Sequence, residues 1–219
     1  MKKRKKRGTT VKIEVIGTGN IGRTLGVKWA LAGHAVTFGI RQMNDKAQRC
    51  LDESDGKATA VSVNEAIQKS DIILLAIPGK AVAAFLLENN DGLNGKTIID
   101  ATNNVGSEVM NNIETIQNAT SDTSVYRAFS SLGWENFANP QIDGEKLALL
   151  YCGPEENRGE IAKLIEAIGL DPIYLGDEGQ ASLIDSMTRV WFALAFGQGY
   201  GRRFGFKLVQ EHKPGSQSP

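Results

Sequence analysis

Cysteine and histidine are scarce in this chain, and long apolar runs are missing. Cys50 and Cys152 are the only two cysteines in 219 residues. They form neither a CxxC pair nor a metal-ligand set, and they read as small buried or half-buried thiols. A reducing, cytoplasmic setting agrees with that usage. The histidines are His34, in an AGH turn, and His212, near the end. Neither is placed to act as a general base. With no Ser-His-Asp set, HExxH motif or GKS/T loop, hydrolysis and phosphoryl transfer have little support. Apolar runs such as IILLAI (72–77) and AVAAFLL (81–87) fall far short of the roughly 18 residues that span a bilayer. No membrane partner is expected.

Net charge is also lacking, since 25 Lys and Arg offset 25 Asp and Glu. The offset is uneven because Lys2, Lys3, Arg4, Lys5, Lys6 and Arg7 stand together. Without those six, 19 basic residues face 25 acidic ones, a net charge of about −6 for the body. That body carries no electrostatic footprint for nucleic acid. The basic start, residues 1–10, is expected to be a solvated, disordered tail, because six repelling cations can bury nothing. A polyanion-binding arm is the alternative. No apolar run of the kind a signal peptide needs follows it. The remaining composition, 41% hydrophobic and 23% charged, suits one sizeable core. No internal repeat or low-complexity linker marks a domain boundary.

The order of apolar segments predicts alternating strands and helices. VKIEVIG (11–17) reads as a strand ending in a glycine turn, and NIGRTLGVKWALAGH (20–34) has helical spacing. AVTFGI (35–40) reads as a strand, VNEAIQKS (63–70) as a helix, and DIILLAI (71–77) as a strand buried on both faces. AVAAFLLENN (81–90) follows as a helix, with 89–95 as its exit loop, and KTIIDAT (96–102) returns as a strand. Strands are expected at 124–130, 147–153 and 172–176, with helices at 154–170 and from Gln180 to about Gly197. The later turns of that last helix are apolar nearly all round, which suits burial against the sheet or another subunit. The pattern predicts an α/β, Rossmann-type, doubly wound and mainly parallel sheet with a short C-terminal helical extension. Residues 11–177 would form the nucleotide-binding domain, 178–210 the helical segment and 211–219 a frayed tail.

The stretch VIGTGNIG (15–22) carries the chemistry. Its GxGxxG is Gly17, Gly19 and Gly22, after a strand and at the opening of a helix, where a dinucleotide fingerprint must lie. Gly17 permits the tight turn, Gly19 lets a pyrophosphate approach the backbone, and Gly22 lets helix and strand pack. The helix N-terminal amides near Asn20 and Ile21 would then face the phosphates. The second strand selects the dinucleotide. An NAD site usually ends that strand with an acidic residue, but FGIRQ (38–42) has none before Asp45 and offers Arg41 instead. A guanidinium can fork onto a 2′-phosphate, so NADP is favoured over NAD, the alternative being a surface arginine. Ile77, Pro78 and Thr102 to Asn104, at the ends of two further strands, could line the nicotinamide ribose, although asparagine after a strand is often only a turn-former. Lys80, Tyr126 and Tyr200 are candidate proton donors, with no spacing to single one out. Hydride transfer between two stacked cofactors escapes the need for one.

With these residues assembled, the chain resembles the NADPH-dependent reductases of the deazaflavin coenzyme F420. The resemblance covers about residues 11–210 and rests on VIGTGNIG, GIRQ, AIPGKAV (76–82), IIDATNN (98–104), VYRAFSSLGWENFANP (125–140) and RVWFALAFGQGYGRRFGFKLV (189–209). The fold also resembles the NADPH domain of six-transmembrane ferric reductases. The family pattern implies Thr18, Asn20 and Ile21 as pyrophosphate contacts, Arg41 as the 2′-phosphate contact, and Ile77, Pro78 and Asn103 beside the nicotinamide ribose. It puts the acceptor near Phe129, Ser130, Ser131, Leu132 and Gly133. This chain departs from the pattern at Ile40, where serine is usual, at Ser130, where many relatives have asparagine, and at Asn104, where proline is frequent. The resemblance implies a homodimer and an acceptor of deazaflavin or flavin type. Other readings are a small-substrate dehydrogenase or imine reductase, and an NADP-binding redox sensor. Trp134, Trp191, Phe192 and Phe196 could stack on a flat acceptor, but the last three, at helical spacing, suit a core or dimer interface better.

Overall fold

The computed structural model describes residues 10–211. The expected tails at 1–10 and 211–219 lie, except for Thr10 and Glu211, outside the described residues, and His212 with them. The elements run β1 (Lys12–Ile16), α1 (Asn20–Ala32), β2 (Ala35–Ile40), α2 (Asp45–Glu53), β3 (Ala58–Ser62), α3 (Val63–Lys69), β4 (Ile72–Leu75), α4 (Val82–Leu93) and β5 (Thr97–Asp100). They continue through α5 (Ile113–Ala119), β6 (Ser124–Arg127), α6 (Trp134–Ala138), β7 (Gln141–Ile142), β8 (Glu145–Lys146), β9 (Ala148–Tyr151), α7 (Arg158–Ala167), β10 (Asp171–Tyr174) and α8 (Ala181–Phe192).

Six strands form one parallel sheet in the order β3-β2-β1-β4-β5-β6. The chain winds outward from β1 to β3, then crosses back to β4 and winds the other way. This reversal leaves a crevice above the carboxyl ends of β1 and β4, the usual ligand position in such sheets. The strands beside that crevice are buried on both faces, which is why Ile72–Leu75 reads as an unbroken apolar run. On one face Ile13, Val15 and Phe38 pack with Leu25 and Trp29 of α1 and Leu164 of α7. On the other, Ile73, Leu75 and Ile98 meet Ile67 of α3, Phe85 of α4 and Ile184 of α8.

Several boundaries differ from the sequence expectation for visible reasons. Helix α4 runs on through Asn89 to Leu93, where a loop was expected. The Asn89 amide donates to the Phe85 carbonyl at 2.8 Å, and Gly92 gives Ile67 the room it needs. Helix α7 begins at Arg158, not Pro154. The Tyr126 hydroxyl donates to the Pro154 carbonyl at 2.6 Å and accepts from the Asn157 amide at 3.1 Å, which holds 154–157 outside the helix. Helix α8 stops at Phe192 and continues as one wider turn over Ala193–Gly197. Strands β9 and β10 form their own parallel pair, linked to the main sheet by the Arg127–Cys152 bridge. Elements α2, β3, α5, α6, β7 and β8 were not read from the sequence.

Two buried side chains set measurable stability effects. Trp29 is wholly buried, donates from Nε1 to the Leu164 carbonyl at 2.9 Å and meets Phe129 edge-on at 5.6 Å. Trp29→Ala should lower the unfolding free energy by about 3–5 kcal/mol in urea titration; a loss under about 1 kcal/mol would contradict this packing. Glu14 of β1 is also wholly buried, and neither carboxyl oxygen has a hydrogen-bond partner among the described residues. Burial pushes its carboxyl up to about 8, against a smaller lowering by Lys96. The folded chain therefore holds a proton there that the unfolded chain releases near its ordinary value of 4.5. Stability from this group is present below that value and falls as pH rises toward 8. Glu14→Gln should gain on wild type between pH 5 and 8; parallel stability curves would contradict the burial argument.

Candidate functional site

The crevice at the strand reversal holds a cleft of about 560 Å³, lined by Gly17, Thr18, Arg41, Ile77 and Pro78 among others. The glycines shape it. Gly17 has φ 115°, and a Cβ there would overlap the Ala76 carbonyl. A Cβ on Gly22 would overlap the Gly17 carbonyl, so the first turn of α1 sits directly on the strand end. Gly19 has nothing within 4 Å of the corresponding position, which leaves its backbone open toward the cleft. It also caps α1 without a side-chain hydrogen bond, and no acidic residue stands in the first turn. The amides of Asn20 and Ile21 thus begin a helix whose positive end has no built-in anion. Asn20 is exposed, whereas Ile21 packs its side chain against the core and offers only its backbone.

Arg41 follows the last residue of β2 and is exposed on the cleft wall beside Gln42 and Asn44. Asn44 is committed to capping α2, accepting from the Lys46 and Ala47 amides at 3.0 Å each. Ile40 lines the cleft where a hydroxyl residue was noted as usual. Asp45, the first carboxylate after β2, opens the first turn of α2.

The other expected contacts lie past Pro78. Gly79 packs so closely on Asn103 and Asn104 that a Cβ would stand 2.8 Å from the Asn103 carbonyl oxygen. This contact joins the cleft wall to the loop after β5. Asn103 itself is held at both ends of its amide. Its Oδ1 accepts from Arg127 Nη2 at 2.7 Å, and its Nδ2 donates to the Ser130 carbonyl at 2.9 Å. The expected acceptor segment Phe129–Gly133 therefore does adjoin Asn103, although all five residues are buried. Phe129 takes φ 59°, uncommon for a bulky residue. Its ring faces the core, edge-on to Trp29 and Phe137. The Ser130 hydroxyl is buried without a partner among the described residues. Ser131 and Leu132 line a separate apolar pocket of about 140 Å³ with Met187 and Phe206. Gly133 packs against Trp191, since a Cβ there would meet the indole at 3.0 Å.

Sequence reasoning missed the charges beneath this loop. Arg127 is wholly buried between Asp100 at 3.1 Å and Asp185 at 2.9 Å. Nothing in the spacing of 100, 127 and 185 announces that they meet. The only cue was an arginine and an aspartate at the ends of otherwise apolar strands.

The other candidates are now placed. Tyr126, with its hydroxyl engaged by Pro154 and Asn157, is pushed up to about 12 by burial, which makes it a poor proton donor. Lys80 is exposed in the single turn after Pro78, and Tyr200 is exposed in the C-terminal arm. His34 accepts from the Val11 amide at 3.4 Å at the amino ends of β1 and β2, away from the cleft. Burial pushes the Cys50 thiol up to about 11 and Cys152 up to about 12, the behaviour of inert packing residues. Trp191 is core, while Phe196 is exposed. Among the described residues there is no metal-binding cluster, and no helix is long and apolar enough to cross a membrane.

Residues 12–104 match the model of the family described as NADP oxidoreductase, coenzyme F420-dependent. A curated relative, the F420-dependent NADP reductase of Methanothermobacter marburgensis, is 33% identical over 99 residues, which is 42% of this chain and 44% of that protein. The chain therefore aligns with less than half of that relative's length. Among solved structures, a protein of Arthrobacter sp. FB24 provisionally assigned as an F420-dependent NADP reductase superposes with TM-score 0.78 at 23% identity, covering 91% of this chain and all of that one. A reductive aminase of Aspergillus terreus, solved with NADPH and ethyl-5-oxohexanoate, superposes with TM-score 0.65 at 23% identity, covering 86% of this chain and 64% of that one. At such identities the superpositions speak for the shared Rossmann-like fold. The likeness to the coenzyme F420-dependent NADP oxidoreductase family thus lies in residues 12–104, the part of the chain that carries the glycine turn and Arg41.

Proposed function

We propose that this protein is an NADP-dependent oxidoreductase, passing a hydride between NADP(H) and a second, flat acceptor of deazaflavin or flavin type. The observation that carries the reading is Arg41, which faces the same cleft as Gly17 and Pro78 at the end of a strand that lacks the carboxylate of an NAD site. The pyrophosphate would lie on the open backbone of Gly19 and the amides of Asn20 and Ile21. The 2′-phosphate would meet the Arg41 guanidinium. The nicotinamide ribose would continue past Ile77 and Pro78 toward Asn103. When bound, NADPH supplies the hydride; the protein supplies orientation and exclusion of water.

A flat acceptor suits the Asn103–Ser130 end of the site. Tyr126 nearby is engaged elsewhere, and hydride transfer between stacked rings needs alignment more than a proton donor. The family name favours coenzyme F420, and a flavin has the same shape and hydrogen-bonding edge. A small carbonyl or imine is the second reading, favoured by Lys80, exposed directly beyond Pro78. The exposed Leu183 and Val190, seven residues apart on α8, together with Phe196 support a homodimer through this face.

Arg41→Ala should weaken NADPH binding by about tenfold or more, the worth of one charge-assisted contact at about 1.4 kcal/mol per tenfold, and leave NADH within about twofold. Equal changes would sink the NADP assignment. Acceptor choice is read by following loss of the nicotinamide absorbance with oxidised coenzyme F420, a flavin and a small imine in turn. Turnover with the deazaflavin or flavin supports the first reading, and turnover with the imine alone supports the second. Light scattering should give twice the chain mass; a monomer would refute the α8 interface.

A further inference from the structure

We infer that Arg127 is a positioning residue for the nicotinamide half of the site, acting through Asn103 and locked in place by Asp185 of α8. The inference rests on the NADP reading above. It extends control of the site to residues beyond the 12–104 match.

Arg127 ends β6 with a side chain that reaches no solvent. Its Nε and Nη2 donate to Asp185 Oδ1 at 3.2 and 2.9 Å, and its Nη1 donates to Asp100 Oδ2 at 3.1 Å and to the Thr102 carbonyl. Nη2 also donates to Asn103 Oδ1 at 2.7 Å. A guanidinium can only donate, so the Asn103 amide must present its oxygen to Arg127 and its nitrogen to the Ser130 carbonyl. Asn103 cannot flip. One Nδ2 hydrogen and one Oδ1 lone pair then remain for a ligand, in a fixed direction.

Both aspartates are fully used around the same loop. Asp185 Oδ2 accepts from the Met110 and Asn111 amides and the Asn111 side chain at 2.7–3.1 Å. Asp100 accepts from the Thr102 amide and hydroxyl and from the Asn112 amide at 2.6–3.0 Å. The loop from Thr102 to Asn112 is therefore clamped at its start by β5, at its end by α8, and at Asn103 by the arginine between them. A buried ion triad is weak evidence for stability, because desolvation offsets most of the attraction. What it does provide is one orientation of Asn103 at the place where Pro78 and Gly79 deliver the cleft.

The test compares NADPH with 2′-phospho-ADP, which keeps the adenosine half and lacks both the nicotinamide and its ribose. Arg127→Lys keeps the charge without the fork, and Asp185→Asn removes the lock. Each should weaken NADPH about tenfold and leave 2′-phospho-ADP within about twofold. Thr188→Val, which removes a buried α8 hydroxyl bonded to the Ile184 carbonyl, should change neither ligand. Equal weakening of both ligands, or no weakening of NADPH, overturns the inference. Wild-type protein that binds neither ligand overturns the NADP reading itself, and the inference falls with it. A second measurement needs no variant. The Arg127 Nε–H resonance of wild-type protein should shift with NADPH and not with 2′-phospho-ADP; the same response to both also overturns it.

Discussion

The close approach of the Gly17–Gly22 turn to the sheet is the constraint on which the site depends. Gly17 leaves no room between itself and the Ala76 carbonyl, and Gly22 leaves none between α1 and the Gly17 carbonyl. Any side chain at either position would push the helix start off the ends of β1 and β4. With the clasp closed, an uncapped helix N-terminus points into the crevice where the strand order reverses. An anion-binding end thus follows from packing alone, before any charged side chain is considered. Gly19 differs from its neighbours in the motif because it meets nothing. Packing demands the missing side chain at Gly17 and Gly22 and makes no such demand at Gly19.

The rest of the site hangs from this end in sequence of distance. Arg41 follows the strand next to β1 and, on the proposed reading, supplies charge at the adenosine side. Gly79 brings the turn after β4 against Asn103, and Arg127 fixes the loop to which Asn103 belongs. The two halves are supported differently. The Gly17–Gly22 end is held by backbone packing within the first winding of the sheet, and the Asn103 end by buried charge that draws in β6 and α8. Trp29 links them from below, since its ring meets Phe129 and its indole nitrogen ties α1 to α7.

The doubly wound sheet was legible because its central strands are continuous apolar runs and its first turn carries three spaced glycines. Local signals failed where elements are short and polar. Helix α2 buries only Ala47 and Cys50, too little to produce an apolar stripe; its readable signal was the Asn44 cap just before an acidic first turn. Strand β3 lies at the sheet edge and is built of small residues with partial burial. The N-terminus of α7 was misread because proline followed by glutamates is a fair helix start, and only the Tyr126 hydroxyl, distant in sequence, holds those residues elsewhere. At the site, the placing of Gly17, Gly22 and Arg41 around one crevice could be read, since it follows from position in one βαβ unit. The Asp100–Arg127–Asp185 network could not, because three charges spread over 86 positions become neighbours only through the topology.

A crystal structure of the protein with NADPH tests the account most directly. The account predicts the pyrophosphate within hydrogen-bond distance of the Gly19–Ile21 backbone, the 2′-phosphate on Arg41, and the nicotinamide ring toward Asn103. A dinucleotide bound outside this crevice, or seated in it with the 2′-phosphate away from Arg41, would contradict it.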